Sequence, residues 1–230
     1  MRVIGMLGGM SWESTDYYYQ RLNSAVRDRL GGLHSARCVV YSVDFAEIEA
    51  MQAAGDWDRA GTYLAECARR LEAAGAECVV LCTNTMHRVF GEIQRAVSVP
   101  MLHIADSTAD ALEAAEVGKV ALLGTRYTME QDFYRERLER RGLSVVVPSA
   151  TDREFVHRTI FEELCLGETV DSSRVEFERI VADLAHGDGV AGVILGCTEI
   201  GLLLGGENSP IPVFDTTLLH VEAALDWSLR

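Results

Sequence analysis

Two cysteines occupy matching positions in the two halves of the chain. Cys82 lies in the segment VVLCTNTMH and Cys197 lies in VILGCTEI. Each cysteine follows a run of aliphatic residues typical of a buried strand, and a threonine follows each directly. A strand that ends in Cys-Thr and leads into a helix places a thiol at the open edge of a sheet. Two such thiols facing one cleft would supply an acid/base group on each side of a small substrate.

The two cysteines belong to a longer internal repeat. Residues 4–8 (IGMLG) resemble residues 120–124 (VALLG), which lie 116 positions later. Two further pairs share this offset: Tyr18 with Tyr134, and Leu22 with Leu138. The cysteines are 115 positions apart, so the offset is held to within one residue. Since solenoid repeats have periods of about 20–50 residues, this much longer repeat predicts two similar lobes.

Composition limits the class of protein and its partners. The chain has 230 residues, of which 48% are hydrophobic and 24% charged, as is ordinary for a soluble globular protein. Its apolar runs are shorter than the roughly 18–20 residues that span a bilayer, and its N-terminus lacks the long apolar region of a signal peptide. A net charge of −14 argues against nucleic-acid binding, which needs a basic surface. We therefore expect a cytoplasmic protein without a nucleic-acid or membrane partner.

The counts of lysine and cysteine bear on cofactors and metals. Lys119, the only lysine, lies at the start of the predicted strand 119–124, so we expect it at the sheet edge opposite the Cys-Thr turns. A pyridoxal phosphate enzyme needs an active-site lysine, so we expect no such cofactor. His87 is a candidate metal ligand together with Cys82, but the other cysteines lack the spacing of zinc sites. We expect no metal, and we interpret His87 as a residue that orients its neighbours or caps a helix. The remaining cysteines are interpreted as small core hydrophobes: Cys38, Cys67, Cys78 and Cys165.

Strands and helices alternate along the chain, which predicts an α/β fold with parallel sheets covered by helices on both faces. The first half predicts strands at 2–7, 37–43, 77–82 and 101–104, and helices at 14–30, 57–74 and 87–96. The second half predicts strands at 119–124, 143–147, 190–195 and 210–214, and helices at 106–116, 129–141, 153–166, 173–186 and 216–229. Ligands of such sheets bind beyond the carboxyl ends of the strands. The glycines that close the first strand of each half, Gly8 and Gly124, fall at those ends, as do both cysteines.

Six segments resemble the aspartate/glutamate racemase family. They are GGMSWEST (8–15), YSVDFAEIE (41–49), CTNTMH (82–87), LLGTRYTME (122–130), FEELCLGE (161–168) and GCTEI (196–200). The segments follow in order along nearly the whole chain, and CTNTMH together with GCTEI is specific. The resemblance implies a cofactor-independent amino-acid racemase of two Rossmann-like lobes, related by pseudo-twofold symmetry, with the active site between them. We expect a first lobe at 1–104 and a second at 105–212, with the helix at 213–230 packing back on the first.

The resemblance also implies roles for particular residues. It assigns acid/base catalysis to Cys82 and Cys197, and it implies a homodimer. It assigns substrate binding to eight residues: Met10, Gln52, Thr83, Asn84, Thr85, Thr125, Thr198 and Glu199. Each direction of racemisation needs one thiolate and one thiol, and an ordinary thiol has a pKa of about 8.5. We expect a helix N-terminus after each cysteine to stabilise the thiolate, threonine and asparagine side chains to bind the substrate carboxylate, and Glu199 to hold the ammonium.

Two of these segments depart from the aspartate-selective pattern. Aspartate-selective members place an arginine and a lysine in the regions of 41–49 and 161–168, whereas this chain has Glu47, Leu164 and Cys165 there. The pattern resembles the broad-specificity amino-acid racemase branch. Hydantoin racemases, arylmalonate decarboxylases and maleate isomerases are alternatives from the same superfamily, although the decarboxylases need only one cysteine. A catalytically silent amino-acid-binding protein is a further alternative, but a binding module needs no thiols.

Overall fold

The alternation of strands and helices produces two parallel sheets of four strands each. The computed structural model describes residues 1–230. The chain divides into two units: Met1–Ile104 with His220–Arg230, and Ala105–Leu219. None of the helices combines the length and the apolar content needed to cross a membrane.

The first unit has the strand order β2-β1-β3-β4. Its elements are β1 (Ile4–Gly8), α1 (Trp12–Leu30), β2 (Cys38–Ser42), α2 (Phe45–Ala54), α3 (Trp57–Ala73), β3 (Cys78–Leu81), a 3-10 helix (Thr85–Val89), α4 (Phe90–Ala96) and β4 (Met101–Leu102). The central strands β1 and β3 are buried along their whole lengths, as expected of a sheet covered on both faces.

The second unit has the strand order β6-β5-β7-β8, which is equivalent to that of the first unit. Its elements are α5 (Ile104–Ala114), β5 (Lys119–Gly124), α6 (Arg126–Glu130), α7 (Asp132–Glu139), β6 (Ser144–Val146), α8 (Ala150–Glu162), a 3-10 helix (Leu164–Leu166), α9 (Asp171–Gly187), β7 (Val193–Gly196), a 3-10 helix (Thr198–Leu202), β8 (Val213–Asp215) and α10 (Thr216–Leu229). The first residue of α5 closes the first unit, and α10 continues into it from His220. The matching orders confirm the predicted α/β fold of two similar lobes.

The residues that revealed the internal repeat are core residues of both units. Tyr18 and Leu22 on α1 are 2% exposed, and their counterparts Tyr134 and Leu138 on α7 are fully buried. Burial of a tyrosine requires a partner for its hydroxyl group. The Tyr134 hydroxyl lies 3.2 Å from the hydroxyl oxygen of Thr108.

In the first unit, Tyr18 anchors the end of the chain. His220 Nε2 lies 3.1 Å from the carbonyl oxygen of Leu102, which can only accept, so Nε2 carries the proton. In the neutral imidazole, Nδ1 then accepts from the Tyr18 hydroxyl, at 2.9 Å. These two bonds join α1, α10 and the end of β4 inside the first unit.

One helix is absent from the sequence prediction, and others have different bounds. Helix α2 was not predicted, although Asp44 caps its first turn by accepting from the backbone N–H of Ala46, and Gly55 ends it in the left-handed conformation. The predicted helices at 87–96, 129–141 and 153–166 each consist of two shorter segments. Tyr19 is 48% exposed, so it lies outside the packed face of α1 that buries Tyr18.

Replacement of Tyr18 by phenylalanine tests the anchor of α10. Tyr18→Phe removes the bond to His220 Nδ1 while keeping the ring, so the free energy of unfolding should fall by about 1–2 kcal/mol. Urea unfolding followed by circular dichroism measures the change. The control Tyr19→Phe, at an exposed position of the same helix, should change stability by less than about 0.5 kcal/mol. Equal stability of both variants would contradict the anchor.

Candidate active site

Cys82 is fixed at the carboxyl edge of the first sheet by contacts to β1 and α1. It directly follows β3 and is fully buried. Its backbone N–H donates to the carbonyl oxygen of Leu7 at 2.9 Å, which extends the pairing of β1 and β3 by one residue. Its own carbonyl oxygen accepts from the Ser14 hydroxyl at 3.1 Å. The position of this thiol is therefore set by a neighbouring strand and by the first turn of α1.

The glycine pair before α1 allows this turn to approach the sheet closely. A Cβ atom on Gly8 would lie 2.4 Å from the side chain of Thr15, and Gly9 has a φ of +91°, which favours glycine. Thr15 Oγ1 accepts from the N–H of Gly9 at 2.8 Å and donates to the carbonyl oxygen of Ser11 at 3.0 Å. Close packing on α1 thus explains Gly8, while the positive φ and the backbone of Val43, 2.3 Å from a Cβ at that position, explain Gly9.

His87 orients the turn that begins at Cys82. The backbone N–H of Ile104 donates to His87 Nε2 at 3.2 Å, so this nitrogen carries no proton. Nδ1 therefore holds the proton and donates it to the carbonyl oxygen of Thr83 at 2.8 Å. The imidazole is 2% exposed and lies 4.6 Å, centroid to centroid, from that of His103. No group of three or more His, Cys, Asp or Glu side chains in residues 1–230 is arranged to hold a metal ion.

The other candidate residues of the first unit lie close to this turn or to its core. Thr83, Asn84 and Thr85 are 4–6% exposed and form the turn itself. Gln52 on α2 donates from Nε2 to the sulfur atom of Met86 at 3.0 Å. Met10 is 5% exposed and belongs to the apolar core cluster that includes Met86. Packing in the core is the contact that the structure gives Met10.

Cys197 occupies the equivalent place in the second unit. It directly follows β7, whose last residue Gly196 pairs with Gly124 at the end of β5. Thr125 follows Gly124 and caps α6, where its hydroxyl accepts from the N–H of Thr128 at 3.3 Å. Lys119 begins β5 and therefore lies at the opposite edge of the sheet, as expected, where it donates to the carbonyl oxygen of Asp188.

Glu199 is the nearest charged neighbour of the second thiol. Cys197 Sγ donates to Glu199 Oε2 at 3.0 Å. The other carboxylate oxygen, Oε1, lies 4.0 Å from the Sγ of Cys165. Glu199 and the adjacent Thr198 are 5% and 6% exposed. The sequence analysis interpreted Cys165 as a core residue and missed its contact with the Glu199 carboxylate. Cys165 is half-buried, and its place in the family segment FEELCLGE was the signal that could have revealed it.

The environment of both thiols favours the protonated form, contrary to the expected stabilisation of thiolates. Burial raises the pKa of the Cys82 thiol far above its ordinary value. Burial also raises the pKa of Cys197, and the negative charge of Glu199 raises it further. The element after each cysteine is a five-residue 3-10 helix and not a long α-helix. Removal of each thiol from water outweighs the dipole of so short a helix.

Comparison with known proteins places the whole chain among racemases. The sequence profile of the Asp/Glu/Hydantoin racemase family matches residues 7–224. A Yersinia pestis protein assigned to the Asp/Glu racemases has a solved structure that is 52% identical, with a TM-score of 0.92 and full coverage of both chains. PH1733, an aspartate racemase homologue from Pyrococcus horikoshii, is 36% identical, with a TM-score of 0.89 and full coverage of both chains. The broad specificity amino-acid racemase RacX of Bacillus subtilis is 24% identical over 94% of this chain and 93% of its own.

The raised pKa of Cys82 predicts a loss of stability at alkaline pH. Above about pH 8.5 the unfolded chain releases the thiol proton while the folded chain retains it, so the free energy of unfolding falls as pH rises. Below that pH the contribution is fully present. Cys82→Ala should flatten this slope between about pH 9 and 11 by up to about 1.4 kcal/mol per pH unit, measured by urea unfolding.

The matched control is Val80→Ala, which shortens a buried side chain of the same strand without removing a titratable group. This variant should lower stability at every pH and leave the slope unchanged. An unchanged slope in Cys82→Ala would contradict the raised pKa.

Proposed function

The chain belongs to the Asp/Glu/hydantoin racemase family, and we propose that it is a cofactor-independent amino-acid racemase with Cys82 and Cys197 as the acid/base pair. The family match confirms the resemblance drawn from the six sequence segments, and it makes the protein an isomerase of the racemase class. One observation carries the assignment of the two cysteines. Each directly follows the equivalent strand of its sheet, β3 or β7, at the edge where ligands of parallel sheets bind.

A pair of thiols, one for each face of the substrate, would suit the chemistry of racemisation at an α-carbon. One cysteine, as thiolate, takes the α-proton, so that the Cα–H bond breaks, an S–H bond forms and the electron pair moves towards the substrate carboxylate. The other cysteine, as thiol, returns its proton to the opposite face. Burial raises both pKa values, so the thiolate needs a positive neighbour, which the substrate ammonium would supply.

The polar residues beside each thiol suit the substrate carboxylate. Thr83, Asn84 and Thr85 follow the first cysteine, and Thr198 follows the second. Hydrogen bonds from these groups to the carboxylate would strengthen as negative charge develops on it in the transition state. Met10, Gln52 and Thr125 complete the proposed substrate-binding set together with Glu199.

We propose a broad specificity, or one for amino acids other than aspartate. The segments that carry basic residues in aspartate-selective members hold Glu47 on α2 and Leu164, which is fully buried in the core of the second unit. A buried leucine offers no charge to a side-chain carboxylate. The similarity to RacX of Bacillus subtilis supports the same specificity.

From the family resemblance we also propose that the protein acts as a homodimer in the cytoplasm, on a small amino-acid substrate. Light scattering after size-exclusion chromatography tests the dimer, because the chain has a mass of 25.3 kDa. A mass near that of one chain would contradict it.

Proton NMR in deuterium oxide tests the activity. The purified protein is incubated under reducing conditions with a pool of L-amino acids and no added cofactor. We expect the α-proton signals of several amino acids to disappear, and chiral analysis of the same sample to reveal the D-enantiomers. Exchange with 5-substituted hydantoins alone would indicate a hydantoin racemase, and binding without exchange would indicate a silent binding protein.

Serine variants test the roles of the two cysteines. Cys82→Ser and Cys197→Ser should each reduce racemisation by at least about 100-fold, because a serine hydroxyl is a far weaker acid than a thiol. Each variant should retain α-proton exchange on one enantiomer only, and the two variants should retain opposite enantiomers. Cys38→Ser, on strand β2 outside the site, is the control and should keep full activity. Undiminished racemisation in either active-site variant would overturn the assignment.

A further inference from the structure

The carboxylate of Glu199 lies between two thiols of the second unit. Oε2 accepts from Cys197 at 3.0 Å, while Oε1 faces Cys165 at 4.0 Å. Cys165 lies in the 3-10 helix Leu164–Leu166. Glu199 lies in the 3-10 helix Thr198–Leu202, and Cys197 directly precedes that helix. The two helices pack on each other. Cys82 differs, since its Sγ faces the carbonyl oxygen of Val80 at 3.9 Å. A carbonyl oxygen cannot take a proton from a thiol, whereas a carboxylate can.

A half-buried thiol beside a buried carboxylate presents an electrostatic difficulty. Release of the Cys197 proton to solvent would leave two adjacent negative charges, one of them on the Glu199 carboxylate, which is 5% exposed. Transfer of the same proton to the neighbouring carboxylate avoids this cost, because the total charge of the pair stays at −1. The contact of 3.0 Å makes this transfer direct.

We propose that Glu199 is the proton acceptor of Cys197, and that Cys165 positions the Glu199 carboxylate for this transfer. The proposal rests on the proposed function, in which Cys197 must act as thiolate in one direction. In the step itself the S–H bond of Cys197 breaks, an O–H bond forms at Oε2 and the electron pair stays on sulfur. The reverse transfer restores the thiol for the opposite direction.

Cys165 contributes by holding the other carboxylate oxygen. Its thiol donates weakly towards Oε1, which leaves Oε2 aimed at Cys197. Gly167, in the left-handed conformation with a φ of 75°, ends the helix that carries Cys165 and fixes its length. Cys165 acts through Glu199, so it is a positioning residue and does not contact the reacting carbon.

Alkylation of Cys197 tests the proposal without any substrate. Wild-type protein and Glu199→Gln are treated with iodoacetamide between about pH 6 and 9, and modification of the Cys197 peptide is followed by mass spectrometry. As sulfur bonds to the reagent and iodide leaves, the thiol proton must pass to an acceptor. Loss of that acceptor should slow alkylation of Cys197 at least about fivefold near pH 7 in Glu199→Gln.

The opposite result has a clear meaning. If Glu199 served only as a negative neighbour, its neutral amide would lower the pKa of Cys197 and speed alkylation. An equal or faster rate in Glu199→Gln therefore overturns the proposal. Cys38, which is half-buried in the first unit, is the internal reference, and its rate should be the same in both proteins.

Two variants test the part played by Cys165. Cys165→Ala should slow alkylation of Cys197 about twofold or more, and Cys165→Ser should restore the rate because its hydroxyl also donates. Equal rates in wild type and Cys165→Ala would overturn the positioning role. These measurements are independent of racemisation: absence of α-proton exchange in the wild type would refute the proposed function, while the alkylation rates alone judge the proton transfer.

Discussion

Parallel pairing of fully buried strands is the interaction on which the candidate site depends. In the first unit β1 pairs with β3, and in the second β5 pairs with β7, so that each cysteine emerges at the end of a central strand. These strands are buried along nearly their whole lengths, and backbone hydrogen bonds to both neighbours hold them in register. Because the strand end cannot shift without breaking this pairing, the thiol that follows it is held in place before any ligand arrives.

The same burial sets the chemical difficulty of the site. A thiol that is removed from water resists ionisation. Because the thiolate is the reactive form, the burial that fixes the position of the thiol also lowers its reactivity. The two units meet this difficulty differently. Around Cys82 the nearby groups are backbone carbonyls and the Ser14 hydroxyl, all neutral, whereas around Cys197 a carboxylate stands within hydrogen-bonding distance. The internal duplication is therefore close in backbone topology and divergent in the electrostatics of its two thiols.

Hydrogen bonds of two buried histidines stabilise the segments of the first unit around Cys82. His87, with its proton on Nδ1, joins the carbonyl oxygen of Thr83 to the N–H of Ile104, and His220 joins Tyr18 to the end of β4. Each imidazole spans two groups that a packed apolar core would otherwise leave unsatisfied. The Cys-Thr turn is thus held by the buried His87, and the buried pair of His220 and Tyr18 holds the end of β4.

Much of this architecture is determined by the sequence alone. The aliphatic runs before Cys82 and Cys197, the constant offset of the repeat and the Cys-Thr turns predict two parallel sheets with a thiol at the edge of each. These features are local, because strand burial follows from side-chain composition over a few residues and turns follow from glycine and threonine. Helix α2 was also within reach of sequence reasoning, through Asp44 and Gly55 at its two ends. The apolar residues of α2 show almost no helical periodicity, so the sequence pattern did not predict the helix.

Only the tertiary structure decided which polar groups meet. The contact of Glu199 with Cys165 joins residues 34 positions apart, and that of Tyr18 with His220 joins residues 202 positions apart. No periodicity predicts such pairs, since they depend on how separate elements pack. The pKa of each thiol was likewise beyond the sequence, which suggested helix termini that favour thiolates, whereas burial favours the protonated form. Desolvation is a property of the folded core, and it cannot be read from the residues that flank a cysteine in the chain.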